Sequence, residues 1–264
     1  MNVISKIAAF LHRDYLILKS YKLDIIIQVL MALIIPLIAY FLTKMSSNES
    51  SFSEIFVSNL FSFILIDYMF SVMGVFTIKV REAQVQGNFE ILFLTKTSFE
   101  FILLVSSIST VLRCWFRSLI YVFAANILFS ADIPITLLPG ILMLSLFCIL
   151  PFLGIGLLSA SFIIFFKKGN PISFLVGLIS IIFSKISFQN EVLPLSLNKL
   201  YDFSPIFIGN EMLLQLTYSP HLDLSFYHNF LMILFYSLFL VVFGIITVKY
   251  AIKKSKESGT LNQY

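Results

Sequence analysis

The sequence is poor in charged residues, which excludes an ordinary soluble fold. Only 12% of its 264 residues are charged, whereas 59% are hydrophobic. A chain of this composition cannot bury its apolar side chains in one soluble core and still present a polar surface to water. We therefore expect an all-α integral membrane protein, with lipid as the solvent for much of the chain.

Cysteine and histidine are equally scarce, with two and three residues. Cys114 and Cys148 lie in long apolar runs, where cysteine acts as a small hydrophobe, so no disulfide framework is expected. His12, His221 and His228 lack the spacing of metal ligands. The G-x-x-x-x-G-K-[ST] motif is missing, so the chain is not expected to bind nucleotide phosphates itself. We expect no catalytic residues, no metal or cofactor on this chain, and no nucleic-acid partner.

Long apolar runs, in contrast, are abundant. About 20 apolar residues cross a hydrocarbon core of roughly 30 Å. Six runs approach or exceed this length, at about residues 25–42, 55–78, 99–129, 137–166, 171–188 and 226–250. The first lacks the cleavage pattern of a signal peptide, which indicates a retained span. The sequence thus predicts six transmembrane helices in a single domain, 1–264.

Basic residues fall mainly on one side of these spans. One side receives Lys6, Arg13, Lys19, Lys22, Lys79, Arg81, Lys96, Lys167, Lys168, Lys249, Lys253, Lys254 and Lys256, and the other only Lys44, Lys185 and Lys199. Because basic loops stay in the cytoplasm, both termini are predicted to be cytoplasmic.

The first 22 residues have the pattern of a helix lying at the membrane surface. Apolar residues fall at helical spacing on one face, with Lys6 and Arg13 opposite, which favours an N-terminal interfacial helix over residues 1–22. The alternative is a cytoplasmic extension of the first span. The apolar face consists of Ile4, Ile7, Ala8, Leu11, Tyr15 and Leu18.

The stretch VREAQVQGNFEILFLTKTS, residues 80–98, is too polar to cross hydrocarbon. Glu82, Gln86 and Glu90 are spaced by four, which predicts the polar face of a short amphipathic helix that is interrupted or ends near Gly87. The alternative is a polar loop that joins two spans. The apolar positions of the pattern are Val80, Val85, Phe89, Leu92 and Phe93.

Away from their ends, the predicted spans carry three charged residues: Asp67, Arg113 and Arg117. A charge at bilayer depth costs about 2.5–3.5 kcal/mol on insertion scales, so each needs a reason. The arginines are one helical turn apart and share a face. They either reach the cytoplasmic interface or line a cavity that attracts an anionic headgroup, and Asp67 pairs with one of them in a third interpretation.

Residues 189–225 are too long for a simple external turn and too apolar for a free loop. Prolines at 194, 205 and 220 divide the segment, and IFIGNEMLLQL between the last two predicts a short helix. An ordered external cap is the plain interpretation.

Three patches, in this order, resemble the type-two permease subunits of ATP-binding-cassette (ABC) exporters. The family's first cytoplasmic loop reads roughly R-E-x-x-x-G-T-x-E-x-L-x-x-T-P. This chain has Arg81-Glu82, then Gly87-Asn88 with one more residue between them than the pattern, and Glu90, Leu92 and Thr95, whereas Asn88 and Lys96 replace the usual Thr and Pro. The patch ASFIIFFKKGNP, residues 160–171, is similar to the end of the fourth span and its turn. The patch EVLPLSLNKLYDFSPIFIGNEML, residues 191–213, is similar to the external segment between spans five and six.

The resemblance implies a half-transporter in a bacterial or archaeal cytoplasmic membrane. Two six-span subunits, identical or related, would form the export pathway, and each would bind one copy of a cytoplasmic ATPase that carries ATP and Mg. The first loop would be a coupling helix, with Arg81, Glu82, Gly87 and Glu90 contacting the ATPase.

The resemblance also implies roles for the other two patches. Gly169, Asn170 and Pro171 would form the cytoplasmic turn. Re-entrant helices between spans five and six would close the external gate, which carries Glu191, Pro194, Pro205 and Glu211. Asp67, Arg113 and Arg117 would be possible pathway residues, in contact with lipids or substrate.

Two other functions fit parts of the sequence. A proton-coupled secondary transporter would use Asp67, although no convincing internal repeat supports it. An accessory protein that only scaffolds others is the second. Asp67 is the only acid well inside a span and no histidine joins it, so an intramembrane enzyme is not expected.

Overall fold

The computed structural model describes residues 3–46, 52–87, 98–167, 171–184, 203–219 and 223–257. All regular structure within these ranges is helical, as the sequence predicts. In this described part of the chain, eight α-helices follow one another: α1 Val3–Ser20, α2 Lys22–Ser46, α3 Phe52–Val85, α4 Phe99–Phe129, α5 Leu138–Phe166, α6 Pro171–Ile182, α7 Pro205–Tyr218 and α8 Leu224–Glu257, with a 3₁₀ turn, Ile135–Leu137, before α5.

Five of the described helices are long and apolar enough to cross a membrane. They are Ile26–Met45, Phe52–Val85, Phe99–Phe129, Ile135–Phe166 and Leu224–Glu257. Five of the six predicted spans therefore correspond to long helices, and a multi-pass membrane protein is confirmed at this level.

The interfacial helix predicted at the N-terminus corresponds to α1. Tyr21 separates α1 from α2, so α1 is not an extension of the first span. The predicted apolar face is partly wrong, because Tyr15 is 58% exposed, whereas Phe10 and Asp14 are half-buried. The face of α1 that points into the bundle is rotated relative to the predicted one, because Asp14 accepts a hydrogen bond from Ser109 on α4.

Helices α5 and α8 form the closest helix pair. A Cβ atom added to Gly244 would lie 2.7 Å from Leu157 Cβ and 2.9 Å from the carbonyl oxygen of Gly154. A Cβ added to Gly154 would in turn overlap Leu240 on α8. Small residues at this crossing let the two backbones touch, as in many membrane helix pairs.

These two helices run in the same direction. The rings of Phe147 and Phe230 meet edge to face, with centroids 5.2 Å apart, and further along Ser255 donates to the carbonyl of Ile164 at 3.3 Å. Residue numbers rise together on both helices, so the chain must return between Phe166 and Leu224 from one end of the bundle to the other.

The end at which α3, α5 and α8 terminate is called the basic end here. Gln84, near the end of α3, donates to the carbonyl of Ile163 at 3.5 Å, which fixes α3 and α5 at the same level. Helix α2 begins at this end, because its later residue Thr43 accepts a hydrogen bond from Asn59, near the start of α3, at 2.9 Å. Among the described residues, the basic end carries Lys79, Arg81, Lys167, Lys249, Lys253, Lys254 and Lys256.

Helix α6 covers the first part of the return. It begins near Ser159, whose hydroxyl lies 2.9 Å from that of Ser173, and the carbonyl of Ser184 accepts a hydrogen bond from Ser62 at 3.3 Å. Its 12 residues span about 18 Å, which is too short to cross alone. The predicted fifth span, 171–188, is thus helical as far as Ile182, and its residues 185–188 lie outside the described part.

Helix α7 covers the last part of the return and confirms the predicted helix after Pro205. A Cβ added to Gly209 would lie 3.0 Å from Cys148 Sγ, and Cys148 is about 15 Å from the start of α5. Near its other end, Gln215 donates to Ser225, at the start of α8, at 3.0 Å. Helix α7 therefore runs from within the bundle to the end opposite the basic end.

Candidate functional site

An ion pair joins α3 and α4 inside the bundle. Arg117 donates to Asp67 Oδ2 from Nε at 2.9 Å, and its Nη2 lies 2.7 Å from the same oxygen. The Tyr121 hydroxyl donates to the same oxygen at 3.1 Å, and Arg117 Nη2 also donates to Ser71 at 2.7 Å. Of the three interpretations open from the sequence, Asp67 therefore pairs with Arg117.

This pair lies near the middle of α3, one of the two longest described helices. Asp67 is 13 residues from Glu54 and 12 from Lys79, the nearest charged residues on α3. At 1.5 Å per residue, it is about 18–20 Å from both. The pair therefore lies far from the charged ends of α3, and each charge stabilises the other.

Arg113, one turn from Arg117, has a different environment. It donates to Thr110 on its own helix at 3.0 Å. Among the described residues, no carboxylate lies within 4.0 Å of its guanidinium. Of the two arginines, Arg113 is therefore the one whose charge is not balanced by a described neighbour.

A cavity of about 410 Å³ opens beside Arg113 between α1, α2 and α4. Arg113 and Arg117 contribute to one side of it, and the side chains Leu11, Val29, Leu112, Phe116 and Ile120 provide an apolar wall. Its size is that of an ordinary small-molecule site.

A second cavity, of about 420 Å³, lies between α2, α3 and α4. It shares Gln28, Arg113 and Arg117 with the first and adds Lys79 to its wall. Lys79 is itself paired with Glu82 at 2.9 Å. Arg113 thus faces two adjacent cavities from one position on α4.

Helix α1 is tied to α4 at the edge of the first cavity. Ser109 donates to Asp14 at 2.6 Å, and Arg13 donates to the other carboxylate oxygen at 2.9 Å. Burial alone raises the pKa of Asp14, but the hydrogen bonds from Ser109 and Arg13 and the charges of Arg13 and Lys79 more than offset this, so that the pKa lies below its ordinary value of 3.8. Asp14 is therefore a carboxylate with its own counter-charge.

At the basic end, α3 continues without a break from the predicted second span to Val85. Arg81 and Glu82 are exposed on its last turn, and Gly87 follows with φ +64°. Arg81 and Glu82 are thus part of the long helix α3 and not of a separate short helix. Val80 and Val85 do not share one side as predicted, because five residues turn a helix by about 140°; Val80 is buried and Val85 is 69% exposed. The other apolar positions of the prediction, Phe89, Leu92 and Phe93, lie outside the described residues.

The remaining predicted site residues are only partly described. Glu90, Gly169, Asn170, Glu191 and Pro194 lie outside the described residues. Pro171 begins α6, and Pro205 begins α7 at the first helical position, which suits a residue without a donor N–H. Glu211 is half-buried on α7.

Two features bear on metal and redox chemistry. In the described part of the chain, no group of three metal-ligating side chains is brought together. Cys114 and Cys148 are both buried and unpaired with each other. Neither feature points to a catalytic centre.

Some residues of the polar cluster were not singled out from the sequence. Ser71 is one turn from Asp67, and Tyr121 is one turn from Arg117, so each lies on the same face as a charged residue. Polar side chains at i and i+4 inside a span were the available signal. Asp14 and Ser109 carried no such signal, because their pairing joins helices far apart in sequence.

Comparison with models of known protein families gives no match for this chain, and comparison with curated proteins gives none either.

Proposed function

We propose that this chain is the membrane-spanning subunit of an ATP-driven exporter, which pairs with a second such subunit and is driven by a separate cytoplasmic ATPase. The observation that carries the proposal is the continuity of α3. One helix connects exposed Arg81 and Glu82 with the ion pair of Asp67 in the middle of the span.

A continuous helix is what a soluble motor needs to move a transmembrane pathway. Force applied to Arg81 or Glu82 would pass directly to Asp67 and, through its ion pair, to α4. It would also pass to α5, because Gln84 bonds to Ile163 just beside the exposed turn. Movements of rigid helices of this kind are a common form of conformational switching.

The path of the chain gives further support. The return between α5 and α8, with α6 and α7 each covering part of the depth, is compatible with six crossings and both termini on the basic side. Basic residues mark the cytoplasmic side of membrane proteins, so the basic end is assigned to the cytoplasm. In this assignment α7 dips into the outer half of the membrane, where it would close the exit, with Pro205 and Glu211 at that gate.

The ATPase contact is tested by reversing charges. Glu82→Lys together with Glu90→Lys is expected to reduce recovery of the ATPase with the tagged full chain and to uncouple its hydrolysis from export. The matched control is Glu54→Lys with Glu257→Lys, which changes the same number of charges at the opposite end of α3 and on α8. Wild-type chain purified from native membranes should carry two ATPase copies per pair of permeases, as counted by mass spectrometry.

Two results would reject the proposal. One is purification of the wild-type chain without any ATPase. The other is equal ATPase recovery and equal transport in the Glu82 and Glu90 variant and its control. Labelling of a cysteine placed at Gln86 from outside intact cells would also reject the assigned orientation.

A proton-coupled secondary transporter remains the second candidate, because Asp67 is an acid at mid-span beside a cavity wall. It predicts transport driven by a proton gradient without an ATPase, and loss of that transport in Asp67→Asn.

A further inference from the structure

Three charged side chains line the first cavity: Asp14, Arg113 and Arg117. Two of them, Asp14 and Arg117, already have a partner of opposite charge. Asp67 neutralises Arg117 at 2.7 Å. Arg13 and Ser109 satisfy both carboxylate oxygens of Asp14. Arg113 is left as the net positive charge of the cavity wall, because its hydrogen bond to Thr110 goes to a neutral hydroxyl.

Apart from Tyr15, Gln28 and Ser109, the rest of the wall is apolar and could hold hydrocarbon. Val29 comes from α2, Leu11 from α1, and Leu112 and Phe116 from α4. A small inorganic anion would leave these side chains without a partner. A ligand with an acyl chain would cover them and bring an anionic group to Arg113 at the same time.

The position of the cavity along α4, close to α1, suits such a ligand. Ser109 contacts α1, which is amphipathic and suited to the headgroup region. Arg113 is four residues further along α4, about 6 Å deeper. A guanidinium at this level can meet a headgroup at the border of the hydrocarbon, as membrane arginines commonly do.

We propose that the cavity between α1, α2 and α4 binds an amphiphile with a phosphate-class anionic headgroup, that Arg113 binds the headgroup, and that the apolar wall holds an acyl chain. Arginine suits this role because its planar fork donates two parallel hydrogen bonds to phosphate oxygens. The site binds such a molecule whether or not the chain is an exporter subunit.

The test uses the delipidated full chain in detergent and native mass spectrometry. Dioleoyl phosphatidylglycerol is titrated against dioleoyl phosphatidylcholine, which has the same chains but no net charge. Wild type is expected to prefer phosphatidylglycerol, and Arg113→Gln is expected to bind it about tenfold more weakly, the loss of about one charge-assisted contact. Arg113→Lys should keep part of the affinity.

Two further variants separate headgroup from chain. Lys249→Gln removes the same charge from an exposed position on α8 and should bind like wild type. Leu112→Trp fills the cavity from a position that is 50% exposed, so the fold should tolerate it, and it should weaken binding of both lipids. Leu238→Trp, 69% exposed on α8, is its control.

Three results would overturn the proposal. The first is unchanged phosphatidylglycerol binding in Arg113→Gln. The second is unchanged binding in Leu112→Trp. The third is displacement of the lipid by inorganic phosphate at equal concentration, which would identify a free anion as the ligand instead of an amphiphile.

Discussion

Replacing Arg117 by leucine tests the ion pair at the centre of the bundle. The change removes two contacts to Asp67 and one to Ser71 and leaves Tyr121 as a donor to the carboxylate. Breaking a buried pair costs about 3–5 kcal/mol, and an unpaired charge in a span about 2.5–3.5 kcal/mol. Because the two side chains are 19% and 18% exposed, we expect about 3 kcal/mol, near the lower limit.

The double variant Asp67→Leu with Arg117→Leu tests whether the loss in the single variant comes from the isolated charge left behind. It removes both charges at once, so no isolated charge remains, and it should be within about 1 kcal/mol of wild type. The two single variants would then couple by about 2–3 kcal/mol or more, as expected for residues in direct contact.

Reversible unfolding in mixed detergent micelles provides the measurement, with the single Trp115 as its fluorescent reporter. Arg113→Leu is the matched control, because it removes the same side chain from the same helix, one turn away, without breaking an ion pair. We expect it to cost less than about 1 kcal/mol. Equal losses in Arg113→Leu and Arg117→Leu, with additive single variants, would refute the stabilising role of the pair.

Three further predictions concern the packing of α5 against α8, the hydrogen bond between α1 and α4, and the turn after α3. Gly154→Ala should lower stability by about 1–3 kcal/mol because its methyl group overlaps α8, whereas Gly74→Ala, which meets no neighbour, should raise it by about 0.5–1 kcal/mol; unfolding midpoints compare the two. Ser109→Ala should release α1 and speed its hydrogen exchange, and in wild type this protection should persist from neutral pH down to about pH 4 and fall below it as Asp14, whose pKa is lowered, takes up a proton. Gly87→Ala should cost about 1–2 kcal/mol because alanine disfavours φ +64°, which unfolding in the same micelles would detect.

Span positions were predictable because hydrocarbon imposes a minimum apolar length. The prediction 99–129 coincides with α4, and 137–166 begins one residue before α5. Helix α3 extends seven residues beyond Ile78, the predicted end of the second span, as a more polar continuation. Hydropathy marks where a helix leaves lipid, whereas hydrogen bonding continues until a breaker such as Gly87 ends the helix.

The candidate site was predictable in its residues but not in its pairing. The cost of burial drew attention to Asp67, Arg113 and Arg117. Helical periodicity places both arginines on one face, yet it cannot decide which one meets Asp67, since that depends on the register of α3 against α4. The contact of Asp14 with Ser109 was also hidden, because it joins positions 95 residues apart.

The crossing of Gly154 and Gly244 has a mechanical consequence. Backbones in direct contact cannot slide past one another without a clash, so α5 and α8 are expected to move as one block. Any opening and closing of this molecule must then take place along its looser seams, where α1 and α2 meet α4 beside Arg113. A ligand bound between α1, α2 and α4 would hold these helices apart, in the part of the protein that is free to move.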